Sequence, residues 1–171
     1  HTAAAHPIDF VIELLVALCS GGILDIVGKD ETLSLWMGSR EINRLSLSPR
    51  QFRRIPEESF GVETFPTLIQ VIIRGRGGDK LLAGDLKEWF SRFGSHVQLV
   101  HVYGHMETGI FNACRFLDQS DAQAAAVSVG CPIGFSEILV LDEDMDECDD
   151  EFAGDIYIKS PLMATGYLGE N

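Results

Sequence analysis

HVQLVHVYGHMETGI, residues 96–110, contains the clearest single indication of the fold. Its apolar first half, VQLVHVY, is rich in β-branched and aromatic residues and is typical of a buried strand. The run stops at Gly104, a residue that permits a tight turn or a close backbone approach. Histidines, an aromatic residue and a carboxylate lie within a few positions of this glycine. Because ligands of open α/β sheets bind beyond the carboxyl ends of strands, the segment also predicts a site.

Strand and helix patterns alternate on the N-terminal side of this segment. FPTLIQVIIRG (65–75) predicts a strand, and AGDLKEWFSRFG (83–94) predicts an amphipathic helix that ends at Gly94. The earlier segments extend this alternation: a mostly buried helix at 8–22, a short strand ILDIV at 23–27, a helix at 30–39, and a strand INRLSLSP at 42–49, after which SPRQFRRI (48–55) turns away behind Pro49.

The pattern changes after residue 130. EILVLD (137–142) and GDIYIK (154–159) predict two short antiparallel strands that are separated by an acidic loop. The expected fold class is therefore α/β, a layered parallel or mixed sheet with flanking helices, followed by a small antiparallel β part. We expect 1–130 and 131–171 to be the α/β and the β-rich parts of one incomplete domain.

Composition excludes several classes of function. The net charge of −13 repels nucleic-acid phosphates and anionic lipids, so neither is an expected partner. The acidic run LDEDMDECDDEF (141–152) is interpreted as a solvated loop. The cysteines form no C-x-x-C pair, which argues against a zinc ribbon and predicts reduced thiols in a cytoplasmic protein. No signal peptide or membrane-spanning run is visible.

The residues around Gly104 allow three interpretations. Tyr103, at the last step of the strand, could stack on a nucleotide base, and Glu107 offers a hard oxygen ligand to Mg²⁺. In extended conformation His101 and His105 would share one side with Glu107 and could bind zinc instead. A glycine turn with a surface glutamate and no ligand is the third interpretation. Local pattern alone does not choose between them.

Five segments, taken in order, match one set of family motifs. They are IELLVALCSGGILDIV (12–27), INRLSLSPRQFRRI (42–55), VYGHMETG (102–109), VGCPIGFSEILVLDED (129–144) and GDIYIKSPLMATGYLGEN (154–171). In this order they resemble the adenylation domains of nonribosomal peptide synthetases, within the adenylate-forming superfamily that includes acyl-CoA synthetases and luciferases. VYGHMETG, for example, is similar to the Y-G-P-T-E-T signature of that family.

The resemblance implies a reaction and a set of roles. A substrate carboxylate attacks the α-phosphorus of ATP, and the acyl group then passes to the thiol of a phosphopantetheine supplied by a carrier protein. Carried over by motif, Tyr103 and Gly104 border the adenine, Thr108 lies near the phosphates, and Glu107 is a ligand of Mg²⁺. The matched positions of the acyl pocket are Val102, Ile110, Phe111, Ile12, Asp9, and Gly77 and Gly78 of the GRGGD stretch. The implied partners are a small carboxylic acid, a carrier protein, other synthetase domains and the remainder of the adenylation domain.

The chain also departs from the family pattern. His105 stands at a usual proline, Met106 at a usual threonine and Thr165 at a usual arginine. The family aspartate that binds a substrate α-amino group aligns with Ile8 or, with a one-residue gap, with Asp9, so amino, hydroxy, keto and aryl acids all stay open as substrates.

Three family elements have no match in these 171 residues, namely the phosphate loop, the ribose-binding T-G-D and the catalytic lysine. We therefore expect the isolated chain to be inactive. Two alternatives to a fragment of a working domain stay open. One is a degenerate adenylation-like domain with a structural or interaction role, and the other is an unrelated α/β binding module.

Overall fold

A computed structural model describes residues 7–26, 41–57, 65–75, 78–150 and 152–169. Helices and strands follow in the order α1 (Pro7–Cys19), β1 (Arg44–Leu47), α2 (Pro49–Glu57), β2 (Gln70–Arg74), α3 (Ala83–Phe93), β3 (Gln98–Tyr103), β4 (Ala113–Leu117), β5 (Cys131–Pro132), β6 (Glu137–Leu141) and β7 (Asp155–Lys159). Short 3₁₀ turns lie at Met106–Thr108 and Asp121–Gln123.

The strands form two sheets. One is five-stranded with the order β1-β2-β3-β4-β5, and the other pairs β6 with β7. Strands β1 and β2 are parallel, whereas β4 and β5, like β6 and β7, are antiparallel. The predicted mixed sheet and the predicted antiparallel β part are both confirmed, and predicted strands 65–75 and 96–104 do belong to one sheet, although β2 is only the second half of its segment.

The chain divides into two compact units, His1–Leu99 with Asp118–Val127, and Val100–Leu117 with Ser128–Asn171. The first has a core of aliphatic and aromatic side chains from β1, α2, β2 and α3. Trp89 of α3 stacks on Phe52 of α2, with ring centroids 4.9 Å apart, and contacts Phe93 at 4.5 Å. All three rings are at most 2% exposed, which makes this aromatic cluster the centre of the unit.

The parallel register of β1 and β2 follows from burial. Leu45 lies beside Val71 and Leu47 beside Ile73, and all four side chains are buried. The predicted amphipathic helix is confirmed as α3, with Leu86, Trp89 and Phe93 buried. Its first turn is closed by the Asp85 carboxylate, which accepts the Leu82 N–H at 2.9 Å.

A helix replaces the predicted turn after Pro49. Ser48 and Gln51 form a capping box, in which the Ser48 N–H donates to Gln51 Oε1 at 2.9 Å and the Gln51 N–H donates to Ser48 Oγ at 3.3 Å. Pro49 occupies the first helical position, where its missing N–H costs nothing. Pro49 and the capping box therefore account for the start of α2, which ends at Glu57.

Two further predictions in the first segment need correction. Residues 23–26 of the predicted strand ILDIV are not a strand, because no described strand pairs with them. Ile23 is accordingly 95% exposed. Helix α1 exists as predicted but is not mostly buried, since Leu15 and Leu18 are more than half exposed. Glu13 nevertheless holds α1 to β2 by an ion pair with Arg74 at 2.9 Å. The predicted helix 30–39 lies outside the described residues.

The second unit contains the hairpin of β6 and β7 and the acidic loop between them. The hairpin register places Leu139 opposite Tyr157, and Lys159 pairs with Glu137 at 3.0 Å. In the loop, Asp142 Oδ1 accepts two backbone N–H groups, which fits the expected solvated turn. Within the described ranges, no helix combines the length and apolarity that a membrane crossing requires.

Candidate functional site

The candidate site is the turn that joins β3 to β4, residues 104–112. Strand β3 ends at Tyr103, as predicted, and the chain returns so that the Asn112 N–H donates to the Tyr103 carbonyl at 2.8 Å. Inside this turn the Ile110 N–H donates to the His105 carbonyl at 2.7 Å, and Met106–Thr108 form one 3₁₀ turn. The β3–β4 turn is therefore closed by its own backbone.

Gly104 is required by this closure. A Cβ atom on Gly104 would meet the backbone carbonyl of Ile110 and would lie 2.9 Å from Asn112 Oδ1. The conformation also places Ile110 at φ 77°, a region in which a β-branched residue is rare and strained. The predicted reason for the glycine, close backbone approach, is confirmed.

Asn112 is the organising side chain of the turn, and the sequence interpretation did not single it out. It is completely buried, and its Oδ1 accepts the Thr108 hydroxyl at 2.6 Å. Its Nδ2 donates to the Thr108 carbonyl at 2.9 Å and to Ser136 Oγ at 3.1 Å. The available signal was one amide in the otherwise apolar stretch after the glycine turn, a weak indication of a buried hydrogen-bond centre.

Glu107 lies in the 3₁₀ turn and is held from the far end of the chain. The Tyr167 hydroxyl donates to Glu107 Oε1 at 2.7 Å, and the Ala164 N–H donates to the Glu107 carbonyl at 2.7 Å. The Tyr167 bond, helped by the Glu107 backbone amide, lowers the pKa of the Glu107 carboxyl, and the same bond raises the pKa of Tyr167. The carboxylate is thus ionised at neutral pH and only partly buried.

Tyr103 and Thr108, the aromatic and hydroxyl residues of the predicted nucleotide site, each contact a neighbouring side chain. Tyr103 Oη and His105 Nε2 are 3.1 Å apart, and the two rings meet edge to face with centroids at 5.4 Å. The Thr108 hydroxyl, predicted to lie near phosphates, donates to Asn112 in this structure. His105 therefore replaces the usual proline of the signature with a side chain that restrains Tyr103.

The positions of the predicted acyl pocket belong partly to each unit. Val102, Ile110 and Phe111 belong to the second unit with the β3–β4 turn, and each is partly buried. Ile12 and Gly78 belong to the first unit. Gly77 and the side chain of Asp9 lie outside the described residues, so the grouping of these positions in one pocket stays a prediction.

The zinc interpretation has no structural support. His101 is buried, and its Nδ1 lies 3.0 Å from the Ser128 carbonyl, as in a satisfied core histidine. Glu107 belongs to a 3₁₀ turn and not to an extended strand that it shares with His101. Across the ranges that the structure describes, no three His, Cys, Asp or Glu side chains converge as a metal site.

Comparison with solved structures shows the fold. PA1221, a nonribosomal peptide synthetase protein containing adenylation and carrier (PCP) domains, matches with a TM-score of 0.79 and 22% identity over 95% of this chain and 33% of its own. The N-terminal subdomain of Klebsiella oxytoca NpsA, solved in complex with 3-hydroxybenzoyl-AMSN, matches with a TM-score of 0.73 and 23% identity over 91% of this chain and 40% of its own.

Comparison of sequences shows the family. Syringomycin synthase SyrB1 of Pseudomonas syringae pv. syringae is 31% identical over 95% of this chain and 28% of its own length. Tyrocidine synthase 2 of Brevibacillus parabrevis is 26% identical over 91% of this chain and 4% of its length, so the chain spans less than a third of either relative. Residues 2–168 match the model of the AMP-binding enzyme family. The chain belongs to that family and is part of an adenylation domain of the adenylate-forming superfamily.

Proposed function

We propose that this chain is part of an adenylation domain that activates a carboxylic acid with Mg·ATP and passes the acyl group to the phosphopantetheine thiol of a carrier protein. In the first step a carboxylate oxygen of the acid forms a bond to the α-phosphorus, and the bond to pyrophosphate breaks. In the second, the thiol sulfur attacks the acyl carbon, which yields a thioester and releases AMP. Membership in the AMP-binding family supports this reaction class.

One observation carries the assignment of the site. Directly after β3, an ionised carboxylate, Glu107, is held at its side chain by Tyr167 and at its carbonyl by Ala164. Two bonds at its two ends restrict where this carboxylate can point, which is what a metal ligand requires.

The residues present fit Mg²⁺. Hard divalent cations prefer carboxylate oxygens, and Glu107 forms no ion pair with a lysine or arginine of the described residues. When bound, Mg²⁺ would neutralise the charge that develops on the phosphates of ATP. The role of Glu107 would be to hold the cation, while Tyr103, restrained by His105, would offer a ring for the adenine to contact.

The acid itself is chosen by the pocket residues. We propose that Val102, Ile110 and Phe111 line this pocket and, by the family motif, that Ile12, Asp9, Gly77 and Gly78 do so as well. NpsA, a structural neighbour, was solved with 3-hydroxybenzoyl-AMSN and with 3-hydroxyanthranilyl-AMSN, and SyrB1 is a syringomycin synthase. Aryl acids therefore belong in the panel of substrates to be tested, beside amino, hydroxy and keto acids.

The test is acid-dependent exchange of labelled pyrophosphate into ATP by the full-length protein. A panel of amino, hydroxy, keto and aryl acids should contain at least one that raises exchange well above the acid-free rate. An established adenylation domain assayed beside it shows that the conditions support exchange. Failure of every acid under those conditions would contradict the proposed activity.

A second function is favoured by a specific observation at the same turn. Met106, where the family usually has threonine, carries no hydroxyl and is 55% exposed, and the hydroxyl of neighbouring Thr108 is bonded to Asn112. The departure at Met106 is what a degenerate domain, kept for structure or for interaction, would show. Such a protein would give no exchange with any acid and would still hold its carrier domain in a stable complex.

A further inference from the structure

The 160–168 segment, SPLMATGYL, contacts the β3–β4 turn at three positions, two of which are hydrogen bonds. The Tyr167 hydroxyl reaches Glu107 Oε1, and the Ala164 N–H reaches the Glu107 carbonyl, each over 2.7 Å. The third contact is steric, since a Cβ on Gly109 would lie 2.7 Å from Leu162 Cβ. The segment therefore lies directly on the turn that carries Glu107.

The two other contacts stabilise the Tyr167–Glu107 hydrogen bond, which would be weak on its own. Tyr167 is 63% exposed, so its bond to Glu107 competes with water. The Ala164 bond fixes the backbone three residues before Tyr167, and the close passage of Leu162 over Gly109 fixes the chain two residues before that. With the backbone held at Ala164 and close to the turn at Leu162, less backbone freedom is lost when the hydroxyl meets the carboxylate.

We propose that Tyr167 is a positioning residue for Glu107, which aims the carboxylate at the cation of Mg·ATP. The inference rests on the proposed function, in which Glu107 is the metal ligand. The Tyr167 hydroxyl donates to Glu107 Oε1 and so restricts the orientation of the carboxylate. The lone pairs that this bond does not use are then directed at the cation. Tyr167 acts through Glu107 and does not itself contact the cation.

The chemistry of the pair supports this role. A carboxylate that receives a hydroxyl bond at one oxygen keeps other lone pairs for a cation, and outer-shell partners of metal ligands commonly orient their ligand in this way. An arginine or lysine in place of Tyr167 would instead neutralise the carboxylate and repel the cation. A neutral donor therefore suits a metal ligand better than a salt bridge would.

The test compares two forms of the nucleotide with the full-length protein. Tyr167→Phe removes only the hydroxyl, and Tyr157→Phe removes the hydroxyl of another exposed tyrosine, on β7 of the same unit. Titration calorimetry measures the binding of Mg·ATP and, in excess EDTA, of metal-free ATP. We expect Tyr167→Phe to weaken Mg·ATP binding by roughly 3- to 10-fold, below the range for buried outer-shell partners, and to leave metal-free ATP binding unchanged.

A second readout separates positioning from folding. The Mg²⁺ concentration that gives half-maximal pyrophosphate exchange should rise by the same factor in Tyr167→Phe, while the melting temperature stays near that of the wild type. Tyr157→Phe should change neither value. Equal weakening of Mg·ATP and metal-free ATP would overturn the inference, because it would indicate a general disturbance of the site.

Glu107→Gln distinguishes failure of this inference from failure of the proposed function. If Glu107→Gln weakens Mg·ATP binding and Tyr167→Phe does not, the metal role of Glu107 holds and the positioning role of Tyr167 is overturned. If neither variant affects Mg·ATP binding, both are overturned. If both do, the double variant should be no weaker than Glu107→Gln alone, since Tyr167 has no other route to the cation.

Discussion

The backbone carbonyl of Ile110 occupies the space that a Cβ atom of Gly104 would need. Gly104→Ala should therefore open the β3–β4 turn, with a cost of about 1–3 kcal/mol for forcing atoms into a packed site. The obstacle is backbone and not a flexible side chain, so the clash is relieved only if the backbone of the turn moves. Hydrogen exchange of amides 104–112 in the full-length protein should become markedly faster.

Gly84→Ala is the matched control for this change. Gly84 lies in the first turn of α3, and a Cβ there would meet nothing within 4 Å. Because alanine is a better helix former than glycine, we expect α3 to be unchanged or slightly stabilised, by at most about 1 kcal/mol. If the amides of residues 104–112 exchange hydrogen no faster in Gly104→Ala than in the wild type, the geometry of the turn is contradicted.

Asn112→Ala should destabilise the same turn for a different reason. The amide is completely buried and bonds Thr108 and Ser136, so its removal deletes these hydrogen bonds and leaves a cavity in the turn. We expect a loss of about 1–3 kcal/mol, measured as the shift in melting temperature and as faster exchange near Thr108. Asn43→Ala, which removes one exposed bond to the Thr67 carbonyl, should cost less. Equal losses in the two variants would refute the organising role of Asn112.

Cys148 should be slow to alkylate at neutral pH. Partial burial is the main cause that raises the pKa of the thiol, and the negative charges of Asp142 and Asp149 raise it further. Since the thiolate is the reactive form and a raised pKa means less of it, iodoacetamide should label Cys148 more slowly than the exposed Cys131. The difference should narrow as pH rises and also in Asp149→Asn, which removes one charge. Mass spectrometry of the labelled peptides measures the two alkylation rates. Faster labelling of Cys148 than of Cys131 would contradict this prediction.

Much of the fold could be predicted because burial leaves a periodic pattern in the sequence. β3 and α3 gave clear signals, since Leu99 lies in a continuous apolar run and Leu86, Trp89 and Phe93 recur at helical spacing. The strand ILDIV gave the same kind of signal and was wrong, because a short apolar run becomes a strand only beside a partner. The capping box of α2 is also visible in the sequence, since Ser48 precedes Gln51 by three residues.

The site was less accessible to sequence reasoning. Gly104 and Glu107 could be predicted as site residues because they lie beside a strand end and match a family motif. Asn112 was missed, because nothing in the chain marks a buried amide apart from its neighbours. The Tyr167–Glu107 bond joins residues 60 positions apart, and no local periodicity connects positions at that separation. Such contacts depend on the whole fold.

The most direct test of the account is the Mg²⁺ dependence of pyrophosphate exchange in Glu107→Gln, measured in the full-length protein with an acid that supports exchange. An amide is a poorer ligand than a carboxylate for a hard cation. We predict that exchange at limiting Mg²⁺ falls by about tenfold or more and recovers partly as Mg²⁺ is raised. Glu143→Gln, the same change of charge in the acidic loop, should behave as the wild type. Exchange that is unchanged in Glu107→Gln at every Mg²⁺ concentration would contradict the assignment of Glu107 as the metal ligand.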